Sequence, residues 1–137
     1  MPTPTAQRSD RLLRILAEYP SVFVVMHDNP DPDAMASGWA ITTLIDEKLG
    51  LPTRLVGGGD IVRAENREFV KLLDPPVELL PSLDDLGESS PAAAVLVDCG
   101  PLQSNHLLRD SSVRPVAVID HHKGARKRRQ LPFQDIR

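Results

Sequence analysis

Blocks of hydrophobic and polar residues alternate along the chain and predict strands and helices in turn. Continuous apolar runs at residues 22–26, 92–97 and 115–119 are typical of strands that are buried on both faces of a sheet. Shorter runs at residues 53–56 and 77–80 predict a further strand and a brief edge strand. Strands that are apolar throughout predict a parallel sheet that is covered on both sides.

The segments between these strands show the spacing of apolar residues that is typical of helices. Leucines three and four positions apart predict a helix from Asp10, after a flexible tail at residues 1–9. Further helices are predicted over residues 34–50 and 64–73, and residues 102–108 fit another. The alternation predicts a doubly wound α/β fold, in which a mostly parallel sheet carries helices on both faces.

Length and composition indicate a single soluble domain. The chain has 137 residues, and the predicted elements place one domain at residues 10–122. Hydrophobic residues make up 41% and charged residues 26%, which excludes a disordered or fibrous chain. The single cysteine, Cys99, excludes an internal disulfide framework. The longest uncharged apolar run, residues 92–97, is far shorter than the roughly 20 residues that cross a bilayer. Without a secretory signal at the N-terminus, we expect a cytoplasmic protein with no membrane partner.

Charge is distributed unevenly along the chain. Residues 1–122 carry 10 basic and 18 acidic side chains, a net charge of −8, whereas residues 123–137 carry 6 basic and 1 acidic side chain, a net charge of +5. This basic C-terminal segment admits two interpretations: a solvated loop, or a basic lip that attracts a phosphorylated substrate. Because it lacks interleaved aromatic residues, it is not a nucleic-acid-binding module by itself.

Acidic residues and histidines directly follow three of the predicted strands. They are His27, Asp31 and Asp33 after the first strand, Asp98 after the strand at 92–97, and Asp120, His121 and His122 at the end of the strand at 115–119. Open α/β sheets bind ligands beyond the carboxyl ends of their strands, so these side chains are expected in one crevice. Converging carboxylates repel one another, and a divalent cation would supply the compensating charge. Mixed carboxylate and imidazole ligands suit Mn²⁺, Zn²⁺ or Fe²⁺, and their number predicts two ions that share one carboxylate.

Each of these segments alone also has a structural interpretation. The Asp-Pro-Asp sequence at residues 31–33 is typical of turns. Asp98 and Gly100 are compatible with a simple strand exit, in which Cys99 is a small buried residue. Three adjacent polar groups at a buried sheet edge, as at residues 120–122, need partners. The occurrence of all three segments at matching strand ends favours the metal site.

Three motifs resemble those of the DHH phosphoesterases. HDNPDPDA at residues 27–34, VDCG at 97–100 and DHH at 120–122 look like motifs one, two and three of that family, in the same order. The resemblance covers the chain from about Leu12 to His122. The family includes oligoribonucleases that also hydrolyse 3′-phosphoadenosine 5′-phosphate, cyclic dinucleotide phosphodiesterases, single-strand exonucleases, exopolyphosphatases and manganese pyrophosphatases.

The resemblance implies a role for each strand-end residue. His27 and Asp31 match ligands of one Mn²⁺, and Asp33 and His121 match ligands of a second. Asp98 matches the carboxylate that bridges both ions and is in that sense catalytic. The two ions would activate a water molecule that hydrolyses phosphodiester or phosphomonoester bonds.

Further residues are implied to act on the substrate. His122 matches a catalytic residue that contacts the phosphate or assists the leaving group, and Asp120 is expected to orient an imidazole from behind. The segment with Arg63 and Asn66 resembles that of members acting on small nucleotides and short oligonucleotides, so both side chains are expected to bind such a substrate. Within the family, the sequence resembles the oligoribonucleases and 3′-phosphoadenosine 5′-phosphate phosphatases.

The chain departs from the family's pattern after His122. Complete members have a fourth motif with a further aspartate ligand, followed by a second, smaller domain. Here the sequence stops at Arg137, and its only later acid, Asp135, resembles no part of that motif. We therefore expect a truncated protein with an incomplete second metal site and little activity alone, and a homodimer for the full-length protein.

Two other functions remain as alternatives. A polyphosphate or pyrophosphate hydrolase would share the metal ligands, although an inorganic substrate offers no sugar or base to the segment with Arg63 and Asn66. A non-catalytic module would bind a nucleotide without cleaving it.

Overall fold

The computed structural model describes residues 4–84, 92–113, 115–122 and 131–136, which form one parallel sheet and its helices. The α-helices are α1 (Pro4–Leu16), α2 (Pro32–Leu49) and α3 (Ala64–Leu73). The strands are β1 (Val22–Val25), β2 (Thr53–Gly57), β3 (Val77–Leu79), β4 (Ala93–Val97), β5 (Pro115–Asp120) and β6 (Phe133–Ile136). No helix among these described residues is both long and apolar enough to cross a membrane.

The order of the strands in the sheet is β3-β2-β1-β4-β5-β6. The chain runs outward from β1 to β3 on one side and then returns to the centre to add the other three strands. β1 and β4 pair in parallel, with Val22 opposite Ala93 and Val25 opposite Leu96. The direction of winding changes between these two strands, and such a point is where α/β sheets form a ligand crevice. The doubly wound α/β fold predicted from the sequence is confirmed.

Alternate residues of the central strands point to opposite faces of the sheet. Val24 of β1 and Val95 of β4 belong to the core on the face that carries α1 and α2. Phe23 and Leu96, their neighbours in the chain, belong to a second core with the short 3-10 helix Leu107–Asp110. Because both faces are covered, the strands are apolar at every position rather than at every second one.

The first turn of α2 lies at the carboxyl end of β1. The helix begins at Pro32, two residues earlier than the sequence predicts, because Pro32 suits a first helical position and Asp31 caps the helix. A side-chain carbon at Gly38 would collide with Leu55 of β2, so the lack of a side chain there lets α2 lie close to the sheet. The helix ends at Gly50, whose φ of 63° lies in the left-handed region.

The described part of α1 begins at Pro4, although the sequence predicts a tail at residues 1–9 and a helix from Asp10. Side chains of this helix bind the last strand and the turn before it. Arg8 pairs with Asp135 at 3.2 Å, and Arg11 donates a hydrogen bond to the carbonyl of Pro132 at 2.9 Å. Contacts between such distant positions are not visible in local helical spacing.

Two further segments differ from their predicted structure. Strand β6 pairs with β5 within the stretch that the sequence marks only as a basic C-terminal segment, because its four residues are too few for a distinct pattern. At residues 102–108 a helix is predicted, but the chain forms the short 3-10 helix Leu107–Asp110 instead. The basic run at residues 123–129 lies outside the described residues, so its two interpretations stay predictions.

Candidate metal centre

Side chains from three strand ends meet at the crevice between β1 and β4. The Nε2 atom of His27 lies 3.5 Å from Oδ2 of Asp98. The Nε2 atom of His121 lies 2.8 Å from Oδ1 of Asp98 and 2.9 Å from Oδ2 of Asp33. These four residues, from three separate segments of the sequence, thus form one connected cluster around Asp98 and His121.

The loop after β1 is held by its own helix and by the glycine loop that follows β2. Oδ1 of Asp31 accepts a hydrogen bond from the N–H of Ala34 at 2.9 Å, which caps α2. The N–H of Asn29 donates to the carbonyl of Gly58 at 3.0 Å, and Oδ1 of Asn29 accepts from the N–H of Asp60 at 2.8 Å. The loop that carries three candidate ligands is therefore tied down at both ends.

The ring of His27 has a defined orientation. Its Nδ1 lies 2.8 Å from the backbone carbonyl of Asp28. A carbonyl can only accept a hydrogen bond, so Nδ1 carries a proton in this contact, and in the neutral tautomer Nε2 has the lone pair. That lone pair is on the side of Asp31 and Asp98, at 3.7 Å and 3.5 Å. A histidine fixed by a carbonyl behind it is typical of metal ligands.

Asp98 is the buried centre of the cluster, with a side chain that is only 3% exposed. It follows β4 directly and adopts a φ of 58°, a left-handed conformation that aspartate tolerates better than most residues. Its N–H donates to the carbonyl of Ile119 at 2.9 Å, which ties this turn to β5. Burial, and then the charge of Asp33, raise the pKa of the Asp98 carboxyl above its usual value. A divalent cation would favour its ionised form instead.

His121 is an exposed partner of this buried acid. The hydrogen bond to Asp98, followed by the negative charges of Asp98 and Asp33, raises the pKa of the His121 imidazole. Its ring is therefore placed where a cation is favoured. Protonation of His121 is favoured in the metal-free protein, and a divalent ion would compensate the same negative charges more fully.

Asp120 lies behind the two adjacent histidines. Its Oδ1 accepts hydrogen bonds from the N–H of His121 at 2.8 Å and from Nδ1 of His122 at 2.6 Å. Asp120 is buried, and the opposite ring nitrogen of His122 lies 3.8 Å from Oδ1 of Asp98. The carboxylate thus orients the imidazole of His122 toward the crevice.

Two groups of side chains in the described residues could each hold a metal ion. One consists of His27, Asp31 and Asp98, and the other of Asp98, His121 and His122, with the ligand atoms of each group within 4.8 Å of one another. Asp98 is common to both. The imidazole and carboxylate donors suit first-row divalent ions such as Mn²⁺ or Zn²⁺.

The second group differs in one member from the set that the family resemblance implies. It includes His122, which the resemblance places on the substrate. Asp33, which the resemblance makes a ligand of the second ion, is instead in contact with His121. Both residues lie at the crevice, and their roles stay predictions.

A cleft of about 640 Å³ opens beside the first group. His27, Asp31 and Asp33 line one wall, and the start of α3 lines the other with Arg63 and Asn66. Arg63 is exposed, whereas Asn66 is only 6% exposed. Within the described part of the chain, the side-chain amide of Asn66 makes no hydrogen bond. The structure thus brings both predicted substrate-binding residues to the metal ligands.

A smaller cavity of about 270 Å³ lies on the other side of Asp98 and His121. Asp135 of β6, to which the sequence analysis assigns no role, lines it together with Ser37 of α2.

Cys99 is fully buried behind the site, and burial, more than any neighbouring charge, raises the pKa of its thiol. A thiol that stays protonated is a poor metal ligand. Cys99 is therefore better explained as a small buried residue than as a zinc ligand.

His106 is a buried polar residue at the site and belongs to none of the three motifs. It is 2% exposed and forms an isolated antiparallel bridge with His27. Burial lowers the pKa of its imidazole. Its segment was predicted as a helix rather than as a contact of the first motif, so no sequence signal marks its position.

The arrangement agrees with comparisons to known proteins. Residues 21–135 match the model of the DHH family, N-terminal domain, a range that includes all three motifs. Over 101 residues the chain is 30% identical to an uncharacterized protein of Methanocaldococcus jannaschii. That alignment covers 74% of this chain and 20% of the relative, so the chain spans about a fifth of the length of the curated relative it matches.

Proposed function

The chain belongs to the DHH family, whose N-terminal domain is a metal-dependent phosphoesterase domain, and from this premise we propose that it hydrolyses phosphate esters of nucleotides with two Mn²⁺ ions. The observation that supports the proposal most directly is that Asp98 belongs to both groups of candidate ligands. A carboxylate between two ions is typical of paired-metal hydrolases. We place the reaction in the cytoplasm and expect the protein to act as a homodimer.

The ligand sets follow from the contacts of the described residues. His27, Asp31 and Asp98 would hold one ion, and Asp33, Asp98 and His121 the other. The imidazole of His27 supports this assignment, because its Nδ1 is bonded to a carbonyl and its Nε2 is free for coordination. The short distances from His121 to both Asp33 and Asp98 support the second set.

Bound divalent ions would supply charge compensation at the phosphoryl oxygens and a more acidic water. The residues of the chain then have two tasks. Asp98 would be a ligand in both sites, and its position directly after β4 fixes where the two sites lie. His122, with Nδ1 bonded to Asp120, presents Nε2 to the crevice, where it contacts the phosphate or protonates the departing oxygen.

The proposed substrates are short oligonucleotides or small nucleotides. The cleft beside the first ligand group, at about 640 Å³, lies within the usual 300–1,000 Å³ of small-molecule sites. Arg63 offers an exposed guanidinium for a phosphate. Asn66 offers a buried amide, with one acceptor and two donors, that a base or sugar could satisfy. These side chains favour the oligoribonuclease and 3′-phosphoadenosine 5′-phosphate phosphatase branch.

A polyphosphate or pyrophosphate hydrolase is less well supported. Each additional phosphate of such a substrate needs positive charge, yet Arg63 is the single lysine or arginine among the described residues that line the cleft. Glu65 lies beside it and adds negative charge. A buried neutral amide such as Asn66 suits an organic part of the substrate better than a further phosphate.

The proposal is tested first by calorimetric titration with Mn²⁺. We expect the chain to bind Mn²⁺, and Asp98→Ala to weaken binding at least about 100-fold because both ligand groups lose a member. Asp46→Ala, which removes an exposed acid from α2, is the matched control and should bind as the unchanged chain does. Equal affinity for Asp98→Ala and the control would remove Asp98 from the site and contradict the proposal.

A substrate panel then separates the candidate functions. With Mn²⁺ present, a dinucleotide, 3′-phosphoadenosine 5′-phosphate, pyrophosphate and tripolyphosphate are compared by release of phosphate or nucleotide. We expect slow cleavage of the first two, because the chain alone is expected to have little activity. Cleavage of the inorganic substrates alone would support the polyphosphate hydrolase. Nucleotide binding without cleavage at any Mn²⁺ concentration would support the non-catalytic module.

A further inference from the structure

The half-buried serine of α2, Ser37, lies four residues after the proposed metal ligand Asp33. Residues four apart in a helix are neighbours on one face, so the two side chains lie one turn apart. Ser37 also lines the cavity of about 270 Å³ whose wall includes Asp98 and His121. These two residues and Asp33, which contacts His121 at 2.9 Å, are the proposed ligands of the second ion. Ser37 therefore lies beside this ligand set, although it is outside the three motifs.

The hydroxyl of Ser37 makes no hydrogen bond to any of the described residues. The two threonines of the same helix differ from it in this respect. The hydroxyl of Thr42 donates to the carbonyl of Gly38 at 2.8 Å. The hydroxyl of Thr43 donates to the carbonyl of Trp39 at 2.9 Å. A bond to the carbonyl four residues earlier is a common one for a hydroxyl within a helix, so Ser37 keeps its donor and its acceptor for a ligand of the cavity.

The stability of α2 does not explain a serine at this position. Alanine has the highest intrinsic helix propensity, and serine ranks below it. The Ser37 hydroxyl adds no hydrogen bond within the described fold that would offset this difference. Replacement by alanine should therefore leave the metal-free fold at least as stable, and the use of the hydroxyl is to be sought in the cavity.

Acidic side chains dominate the wall of this cavity. Its charged members are Asp98, Asp120, Asp135 and His121. The carboxylates favour a cation over an anion in the cavity. At about 30 Å³ for each water molecule, the volume has room for several waters around such an ion. Among the described residues that line the cavity, Ser37 has the one neutral hydroxyl, which can donate to or accept from one of these waters.

We propose that Ser37 is a positioning residue for the second ion, and that its hydroxyl bonds a water molecule that this ion retains. Three protein ligands, Asp33, Asp98 and His121, leave an octahedral ion such as Mn²⁺ roughly three further positions for water or substrate. The hydroxyl holds the water at one of these positions and so strengthens the binding of the ion. The inference rests on the proposed function, which supplies the second ion, and adds to it a residue of α2.

The first test compares Ser37→Ala with Thr43→Ala, which removes an exposed hydroxyl from the same helix and does not line the cavity. Calorimetric titration measures the affinity for Mn²⁺, and urea unfolding with a chelator measures the metal-free stability. Ser37→Ala should weaken one of two Mn²⁺ sites about 3- to 10-fold, as expected for the loss of one hydrogen bond. Its metal-free stability should be unchanged or higher. Thr43→Ala should bind Mn²⁺ as the unchanged chain does.

Two results of this comparison would overturn the proposal. Equal Mn²⁺ affinities for Ser37→Ala and Thr43→Ala would show that the hydroxyl does not act on the ion. A loss of metal-free stability in Ser37→Ala, or a failure of this variant to fold, would show that the hydroxyl supports the fold itself.

The second test is a double-mutant cycle that assigns the effect to one ion. In the His27→Ala background, which lacks a ligand of the first ion, Ser37→Ala should still weaken Mn²⁺ binding about 3- to 10-fold. In the His121→Ala background, which lacks a ligand of the second ion, the same substitution should change the affinity less than about twofold. Equal losses in the two backgrounds, or a loss in the His121→Ala background alone, would contradict a role at the second ion.

The titrations also separate this inference from the proposed function. If the unchanged chain binds no Mn²⁺, the proposed function fails and the inference fails with it. If it binds one ion whose affinity depends on His27 and not on His121, the role of Ser37 is overturned while the first site stands. If it binds two ions and Ser37→Ala binds both as tightly, the inference alone is wrong.

Discussion

The exposed imidazole of His121 lies 2.8 Å from a carboxylate oxygen of the buried Asp98. Burial raises the pKa of Asp98, and the bond to Asp98 raises the pKa of His121. Each shift means that the folded, metal-free protein binds protons more tightly at this pair than the unfolded chain does. A divalent cation would displace those protons, so protons and metal ions compete for the same place.

From this pair we predict that the metal-free fold becomes less stable as the pH rises above 6.5, the usual pKa of the His121 imidazole. The stabilising effect of protonated His121 is complete below its usual pKa of 6.5 and is lost as the pH rises through the raised value. The raised pKa of Asp98 acts with the same sign as the pH rises above its usual value of 3.8, because the ionised form is disfavoured in the fold. Urea unfolding in the presence of a chelator, repeated at several pH values, measures the free energy of unfolding and gives its slope against pH.

Two controls accompany the pH series. Asp98→Asn should flatten the slope, since it removes both the buried acid and the partner of His121. Added Mn²⁺ should restore stability at the higher pH, because it takes the place of the lost protons. A slope in Asp98→Asn equal to that of the unchanged chain would mean that other groups cause the pH dependence.

The contacts of Asp120 predict that its substitution affects catalysis much more than it affects Mn²⁺ binding. Asp120→Asn weakens the hold on His122 but removes no member of either ligand group. We expect Mn²⁺ affinity to change less than about threefold and kcat to fall about 10- to 100-fold. Calorimetry and steady-state phosphate release measure the two quantities. A loss of Mn²⁺ affinity as large as that of Asp98→Ala would instead show that Asp120, or His122 held by it, binds the metal.

The cleft residue Arg63 predicts an effect on substrate binding. Its side chain makes no capping bond to α3, so Arg63→Ala should leave the fold intact. Loss of one phosphate contact should raise KM about tenfold, or about 1.4 kcal/mol, with little change in kcat. Lys71→Ala removes an exposed cation from the last turn of the same helix and serves as the matched control. Equal KM values for the two variants would place the substrate elsewhere.

Two glycines with positive φ predict different costs for the same substitution. Gly50 has a φ of 63° and open space around it, so Gly50→Ala should lower the free energy of unfolding by about 1–2 kcal/mol through backbone strain. Gly59 has a φ of 70°, and a side-chain carbon there would also collide with Asn29. Gly59→Ala should therefore lower the free energy of unfolding, measured with urea, clearly more than Gly50→Ala does.

The same variant also reports on the metal loop. Asn29 belongs to the loop that carries the first motif, so Gly59→Ala should weaken Mn²⁺ binding as well, whereas Gly50→Ala should not. Equal losses of stability in the two variants, with unchanged Mn²⁺ affinity in both, would show that the contact between the two loops does not matter.

The strand ends show how much of the site could be predicted from the sequence. Continuous apolar runs identified the central strands, and the polar residues that follow β1, β4 and β5 could be assigned to one sheet edge because parallel strands end together. Hydrophobic burial is a local signal of each strand, so this part of the prediction needed no knowledge of distant contacts. The family motifs then added the expected roles.

The pairings within the site were beyond such reasoning. The sequence could not show that His121 contacts both Asp33 and Asp98, or that Asp120 binds His122. Those distances depend on side-chain orientation at the strand ends. His106 escaped notice for the same reason, since its neighbour His27 is reached only through the connection that follows β4.

By itself the amino-acid sequence determined the class of fold and the chemical identity of the residues at the carboxyl edge of the sheet, because strand patterning and motif spacing are properties of short segments. Only the tertiary structure decided the strand order that sets β1 beside β4, the addition of β6, and the burial of Asp98 between two imidazoles. These features arise from packing between segments that are distant in sequence. The free energy of that packing depends on how the segments fit together, so the residue pattern of a single segment does not predict it.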